Sequence, residues 1–223
     1  MTPQSLDIAR EGIPRPRIRA LSDMIFGLAI SIGAWSQLTQ KPGSVAIIGY
    51  SLLSFGFAFL VLALVWLRYS MVMSVLRVES TALVAANMIL LFLVSAEPYL
   101  YNLMNISAYI PSPGQLNSAY TTTFYALDLG GLMIILAFFT YELTKEEKRP
   151  VPRELLRSLR LTTYASIIAA AIFVLSALPV FWSVIVVQSP TVPLRYIMWC
   201  GVFVVNMGRR LDIRVSDRRA RTK

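Results

Sequence analysis

Long apolar runs alternate along the chain with short polar, basic or proline-containing breaks, and six such runs take up most of its length. A run of roughly 20 apolar residues crosses a bilayer core of about 30 Å as a helix. The pattern predicts helices over residues 18–38, 44–67, 81–101, 121–143, 158–187 and 194–207. The fold class expected is an all-α integral membrane protein with six transmembrane helices in a membrane domain spanning 17–208. A cytoplasmic arm, 1–16, precedes it, with Pro14 and Pro16 expected to stop any early helix. A basic cytoplasmic tail, 209–223, follows. The Lys41-Pro42-Gly43 break is short, so the second helix should return beside the first. Glu97-Pro98 is expected to close the third helix at the outer face, and loop 102–120 reads as a linker. Pro179 should kink the fifth helix.

Composition supports the membrane reading. Of the 223 residues, 56% are hydrophobic and only 15% charged, which leaves no room for a separate soluble domain. A net charge of +9 would point to nucleic acid in a soluble protein. Here the basic residues flank the apolar runs instead. With the N-terminus inside, all but Lys41 and Arg195 of the 21 Lys and Arg lie in the inner segments 1–19, 68–79, 145–160 and 209–223. Both termini are therefore expected in the cytoplasm of a multi-pass cell-membrane protein, with anionic lipid at its basic inner surface and no nucleic-acid partner. The polar N-terminal residues argue against a cleaved signal peptide.

Candidate chemistry is sparse. Cys200 is the only cysteine, so no intrachain disulfide forms, and there is no histidine. Ser-His and Cys-His nucleophile pairs and His-ligated metal sites are excluded, and no catalytic residue, metal or cofactor is expected.

The first helix is the informative one. Leu21, Ile25, Leu28, Ile32 and Trp35 share one stripe at 100° per residue. Gly27 and Ser31, and Ala29 and Gly33, are four apart, a small-xxx-small spacing that lets helices approach closely, so this helix should pack on more than one side. Asp23 falls away from the Leu28 stripe, near Phe26 and Ile30. An ionisable residue where hydrocarbon begins costs several kcal/mol unless paired, and its candidate partners are Arg17, Arg19, Arg68 and Trp66. The bland role is a buried ion pair or cap that fixes the helix. Asn87 lies inside the third helix, while Glu97 and Asp128 lie near outer helix ends as candidate ion or proton sites.

The run from Arg17 through Ala20-Leu21-Ser22-Asp23 into Ile25-Phe26-Gly27-Leu28-Ala29-Ile30-Ser31-Ile32 resembles the first-helix signature of the prokaryotic transmembrane-175 potassium channels, relatives of a lysosomal potassium channel. Trp66-Leu67-Arg68-Tyr69 resembles the end of that family's second helix. Asn87, Ser95 and Pro98 repeat the spacing of its third. Leu21 stands where the family has Phe, Gly33-Ala34 replace bulky residues, and no His follows Trp66. The resemblance implies a homotetramer around a pore lined by the first helix, with permeant potassium and no selectivity-filter loop. It places an apolar constriction at Leu28, Ile32 and Trp35 and a hydroxyl layer at Ser31, above an inner polar network of Arg17, Ser22, Asp23, Trp66, Arg68 and Asn87.

The function expected is a potassium-preferring cation channel with a hydrophobic gate and no covalent chemistry. The alternatives are a small ion-coupled transporter using Asp128 or Glu97, or a non-conducting structural membrane subunit.

Overall fold

The structure is a computed structural model that describes residues 15–38, 45–75, 80–109, 118–145, 153–188 and 191–205. These form helices α1 (Arg15–Leu38), α2 (Val45–Val75), α3 (Thr81–Tyr109), α4 (Ser118–Lys145) and α5 (Arg153–Ser176), then a single-turn helix α6 (Val180–Ser183). Strands β1 (Ile185–Gln188) and β2 (Thr191–Pro193) pair antiparallel, and helix α7 (Leu194–Val205) follows. The described residues are thus helical apart from one hairpin.

Within α2 to α5, the segments Ser51–Ser74, Thr81–Met104, Ala119–Lys145 and Ser158–Ser176 are long and apolar enough to cross a membrane. The apolar α7 is shorter, roughly 18 Å at 1.5 Å per residue.

Several boundaries differ from the expected ones. α1 begins at Arg15 and carries Pro16 in its first turn, where the missing N–H has no intrahelical partner to lose. α2 continues past Leu67 to Val75, with Arg68 and Tyr69 buried inside it. α3 runs through Glu97-Pro98 to Tyr109. Proline forfeits one backbone bond there, but Glu97 and Tyr101 on either side are buried and hold the helix in place. Residues 102–109 and 118–120 of the expected linker are therefore helical. The remainder of that linker, residues 1–14 of the arm and the tail lie outside the described residues.

The fifth helix departs most. It ends at Ser176 instead of reaching Val187, and Pro179 is the N-cap of α6 instead of a kink. The β-branched run Val184-Ile185-Val186-Val187 favours extended backbone and supplies β1.

Two compact units divide the chain, one up to Tyr99 and one from Leu100. In the first, α1 buries Ser22, Phe26, Ala29, Gly33 and Ser36, one face at alternating steps of four and three. On α2, Tyr69 meets Ser22 and Phe26 of α1, and Ala58, Val61, Leu62, Val65 and Val72 are buried along the same helix. Gly33 permits the close approach, since a Cβ there would already touch the Phe55 ring at 3.5 Å.

The second unit is built on the α4–α5 pair. Leu129, Leu132, Met133 and Leu136 of α4 are buried, as are Ala165, Ala169, Ala170 and Phe173 of α5. Gly130 sets the closest approach, because a Cβ there would stand 2.9 Å from Val174 Cγ2. Trp199 of α7 is buried against Tyr125 and Phe173, with ring centroids at 5.5 and 6.3 Å, and its indole N–H donates to Ser176 Oγ at 2.8 Å.

Candidate functional site: the first helix and its polar anchor

One helical face of α1 is buried, and the neighbouring one is open in the single chain. Leu21, Met24, Leu28, Ser31, Ile32 and Trp35 are all exposed, Met24 at 72% and Trp35 at 68%. Ile25, placed on this stripe by the sequence, is only half-exposed. Of the two small-residue pairs, Ala29–Gly33 packs within the subunit, whereas Gly27–Ser31 stays open and Gly27 has nothing near its Cβ position. The Ser31 hydroxyl donates to the Gly27 carbonyl at 2.8 Å. With its proton used inside the helix, its oxygen presents lone pairs to the open side.

Below this face α1 is tied to α2, first at a partly accessible edge and then in the interior. Trp66 donates its indole N–H to Asp23 Oδ1 at 2.9 Å, so among Asp23's expected partners the tryptophan is the one seen bonded to it. Arg17's side chain lies outside the described residues, Arg19 is exposed, and Arg68 is buried.

Next to Asp23, Ser22 meets the Tyr69 hydroxyl at 2.6 Å, and Tyr69 donates to Asn87 Oδ1 at 2.8 Å. Because the phenol proton goes to Asn87, Ser22 must be the donor in its bond to Tyr69. All three residues are at most 1% exposed, so this relay from α1 through α2 to α3 is dry. Phe26 covers it, its ring 5.7 Å from that of Tyr69. At the far end of α1, Ser51 of α2 donates to Gln37 Oε1.

Tyr69, the centre of the relay, was not among the expected site residues. Its phenol inside an apolar run is a usable signal, since a buried tyrosine hydroxyl needs a partner. Met24 was also missed, although it lies one turn from Leu28. Glu97 and Asp128 are 2% and 6% exposed, each enclosed within the single chain. Among the described residues, no group of three His, Cys, Asp or Glu could hold a metal ion.

A second polar cluster went unforeseen. Arg195, read from sequence only as an outer charge, is 1% exposed in the second unit. Its Nε donates to the Ser176 carbonyl at 2.6 Å. One terminal nitrogen donates to the Ala119 carbonyl at 3.0 Å and Thr122 Oγ1 at 2.6 Å. The other reaches the carbonyls of Ala177 and Leu178 at 3.2 and 3.3 Å. All five guanidinium donors are engaged by neutral acceptors. A lone Arg in an apolar segment demands acceptors, but the sequence does not say which.

Comparison with known proteins bears on the first unit and on the fold. Residues 17–98 match the family described as the endosomal/lysosomal potassium channel TMEM175. No curated protein matches. The structure is similar to the crystal structure of a lysosomal potassium-selective channel TMEM175 homolog from Chamaesiphon minutus. The TM-score is 0.56 at 17% identity, over 89% of this chain and 97% of that one, a likeness of fold. With its apolar helices, the chain is a multi-pass membrane protein. It is similar to the TMEM175 potassium channels by sequence through its first three helices and by fold over nearly its whole length.

Proposed function

We propose that the chain is one subunit of a potassium-preferring cation channel, a homotetramer whose pore is lined by α1. The observation that carries this reading is the open face of α1, where Leu21, Met24, Leu28, Ile32 and Trp35 are exposed beside a buried polar relay. Four copies of such a face around an axis would make a narrow apolar passage. A ring of apolar side chains holds a pore closed by excluding water. Leu28 and Ile32 are the gate residues, with Trp35 beyond them. The outward lone pairs of Ser31 supply a hydroxyl ring at which a partly dehydrated cation is coordinated. Six spans, with α1 and α7 as the first and last, and cytoplasmic termini complete the subunit. Permeation in this reading involves no covalent step and no cofactor.

The test is potassium flux from liposomes carrying the purified protein, wild type beside Leu28→Ala and Ile32→Ala, with sodium as comparison. Potassium-preferring flux that rises in both variants is expected. No flux from any of the three, with folded oligomers present, would leave a non-conducting membrane subunit as the reading.

A further inference from the structure

The hairpin between α5 and α7 has an unusual surface. β1 and β2 pair through Ile185 opposite Pro193, Val187 opposite Val192 and Gln188 opposite Thr191, with an irregularity between Ile185 and Val187 that leaves Val186 unpaired. Val184, Ile185 and Val186 are consecutive, yet they are 44, 52 and 50% exposed. Side chains along a strand alternate between its faces, so a ribbon standing in water, or lying on a protein with one face, shows apolar and polar residues in turn. Here apolar side chains are open on successive positions. The irregularity sets these side chains outward together, and such an unbroken exposed apolar run matches an apolar medium around the ribbon.

The surroundings identify the medium. The exposed side chains Val174, Leu175, Leu178 and Val180 run continuously from the membrane-spanning part of α5 into the hairpin. Trp182 and Tyr196 meet edge to face at 6.2 Å beside its base, an aromatic pair of the kind that gathers at the membrane–water boundary. A two-stranded ribbon has unpaired edge N–H and C=O groups, which lipid-exposed backbone in the hydrocarbon core cannot satisfy. The ribbon therefore fits the interfacial zone, where water still reaches its edges and acyl chains reach its valines.

Arg195 decides how the ribbon is held. Its guanidinium binds the carbonyls of Ser176, Ala177 and Leu178 where the chain enters the segment, and it directly follows Pro193-Leu194 where the chain leaves. The Leu194 N–H also bonds to the Val184 carbonyl at 2.9 Å. Both ends of the ribbon are thus fastened to one side chain. Since all five of its donors are used, Arg195 is not available to a lipid phosphate, and the contact with lipid falls to the apolar side chains.

We propose that β1 and β2, with Val184 just before them, form an interfacial lipid-binding element. It lies among the glycerol and upper acyl region of the leaflet at the end of α5 remote from the basic residues 153–160, with Arg195 as its tether. This holds whether or not the protein conducts.

The test uses the full chain in liposomes with Cys200→Ala and a single added cysteine, Val184→Cys or Val186→Cys, carrying an environment-sensitive fluorophore. Lys145→Cys, at an exposed position, serves as the aqueous reference. Nitroxide lipids labelled high or low on the acyl chain and aqueous iodide are the quenchers. The expected result is blue-shifted emission, stronger quenching by the shallow nitroxide than by the deep one, and little by iodide. Dominant iodide quenching would overturn the proposal by placing the ribbon in water. Dominant deep quenching would overturn it by placing the ribbon in the hydrocarbon core. Protection from all three would overturn it by showing a protein cover, such as a second copy. Should the cysteine variants fail to fold, the difference between wild-type and Trp182→Phe tryptophan emission under the same quenchers reads the ribbon's base.

Discussion

Trp66 on α2 donates its indole N–H to the carboxylate of Asp23 on α1 at 2.9 Å, so an acidic group near the start of a membrane helix is answered by a neutral donor. Asp23 and Trp66 are both partly accessible. A bond to a charged acceptor contributes more than a neutral one when dry, and less in this setting, on the order of 1 kcal/mol. Trp66→Phe should therefore lower thermal stability in detergent by a few degrees. Asp23→Asn, which keeps an accepting oxygen, should lower it less than Asp23→Ala. Equal losses for the last two would mean the acceptor is not what matters.

The relay from Ser22 through Tyr69 to Asn87 predicts a ranking. Tyr69→Phe removes both bonds of the relay at once and takes from Asn87 Oδ1 its phenol donor in a dry interior, about 1–3 kcal/mol. Ser22→Ala removes one donor and leaves the Tyr69–Asn87 bond intact. Thermal melts should place Tyr69→Phe well below Ser22→Ala, with the Ser22→Ala/Tyr69→Phe double variant recovering part of the loss.

Gly130 offers a packing test. A Cβ there stands 2.9 Å from Val174 Cγ2, so Gly130→Ala overpacks the α4–α5 contact by about 1–3 kcal/mol. Adding Val174→Ala vacates that space. The double variant should melt above Gly130→Ala alone, and a further drop would show that the valine is not the obstacle.

Arg195→Lys tests the tether. An ammonium has three donors against the five used here, so at least two of the bonds around Arg195 are lost. The charge is kept while the planar fork is lost. A marked fall in melting temperature is expected, with earlier proteolysis between Ser176 and Leu194. A melt and cleavage pattern like wild type would show that charge alone suffices.

That the chain is built of long apolar helices could be read from the apolar runs, because lipid-spanning length leaves a coarse signal that needs no partner. Asp23 could be singled out for the same reason, since a carboxylate in an apolar segment must find a donor. Its choice of Trp66 over an arginine depends on which α2 position faces it, and a single helical wheel does not contain that. The end of α5 was misread because Leu178-Pro179-Val180 is as apolar as the helix before it. Pro179 cannot continue the helix, and the carbonyls freed there are taken up by Arg195, distant in sequence. The open face of α1 is apolar like any lipid-facing face, so periodicity gave it no separate mark.

The bonds along α1 also give it a mechanical character. Ser22 and Asp23 fasten one end to α2, and Gln37 fastens the other through Ser51, about 21 Å away at 1.5 Å per residue. Between them Phe26 packs on the Tyr69 ring and Gly33 lies against Phe55. α1 is thus a beam clamped at both ends. Twisting it about its own axis strains all three bonds together, while Leu28 and Ile32 between the clamps lie on its open face.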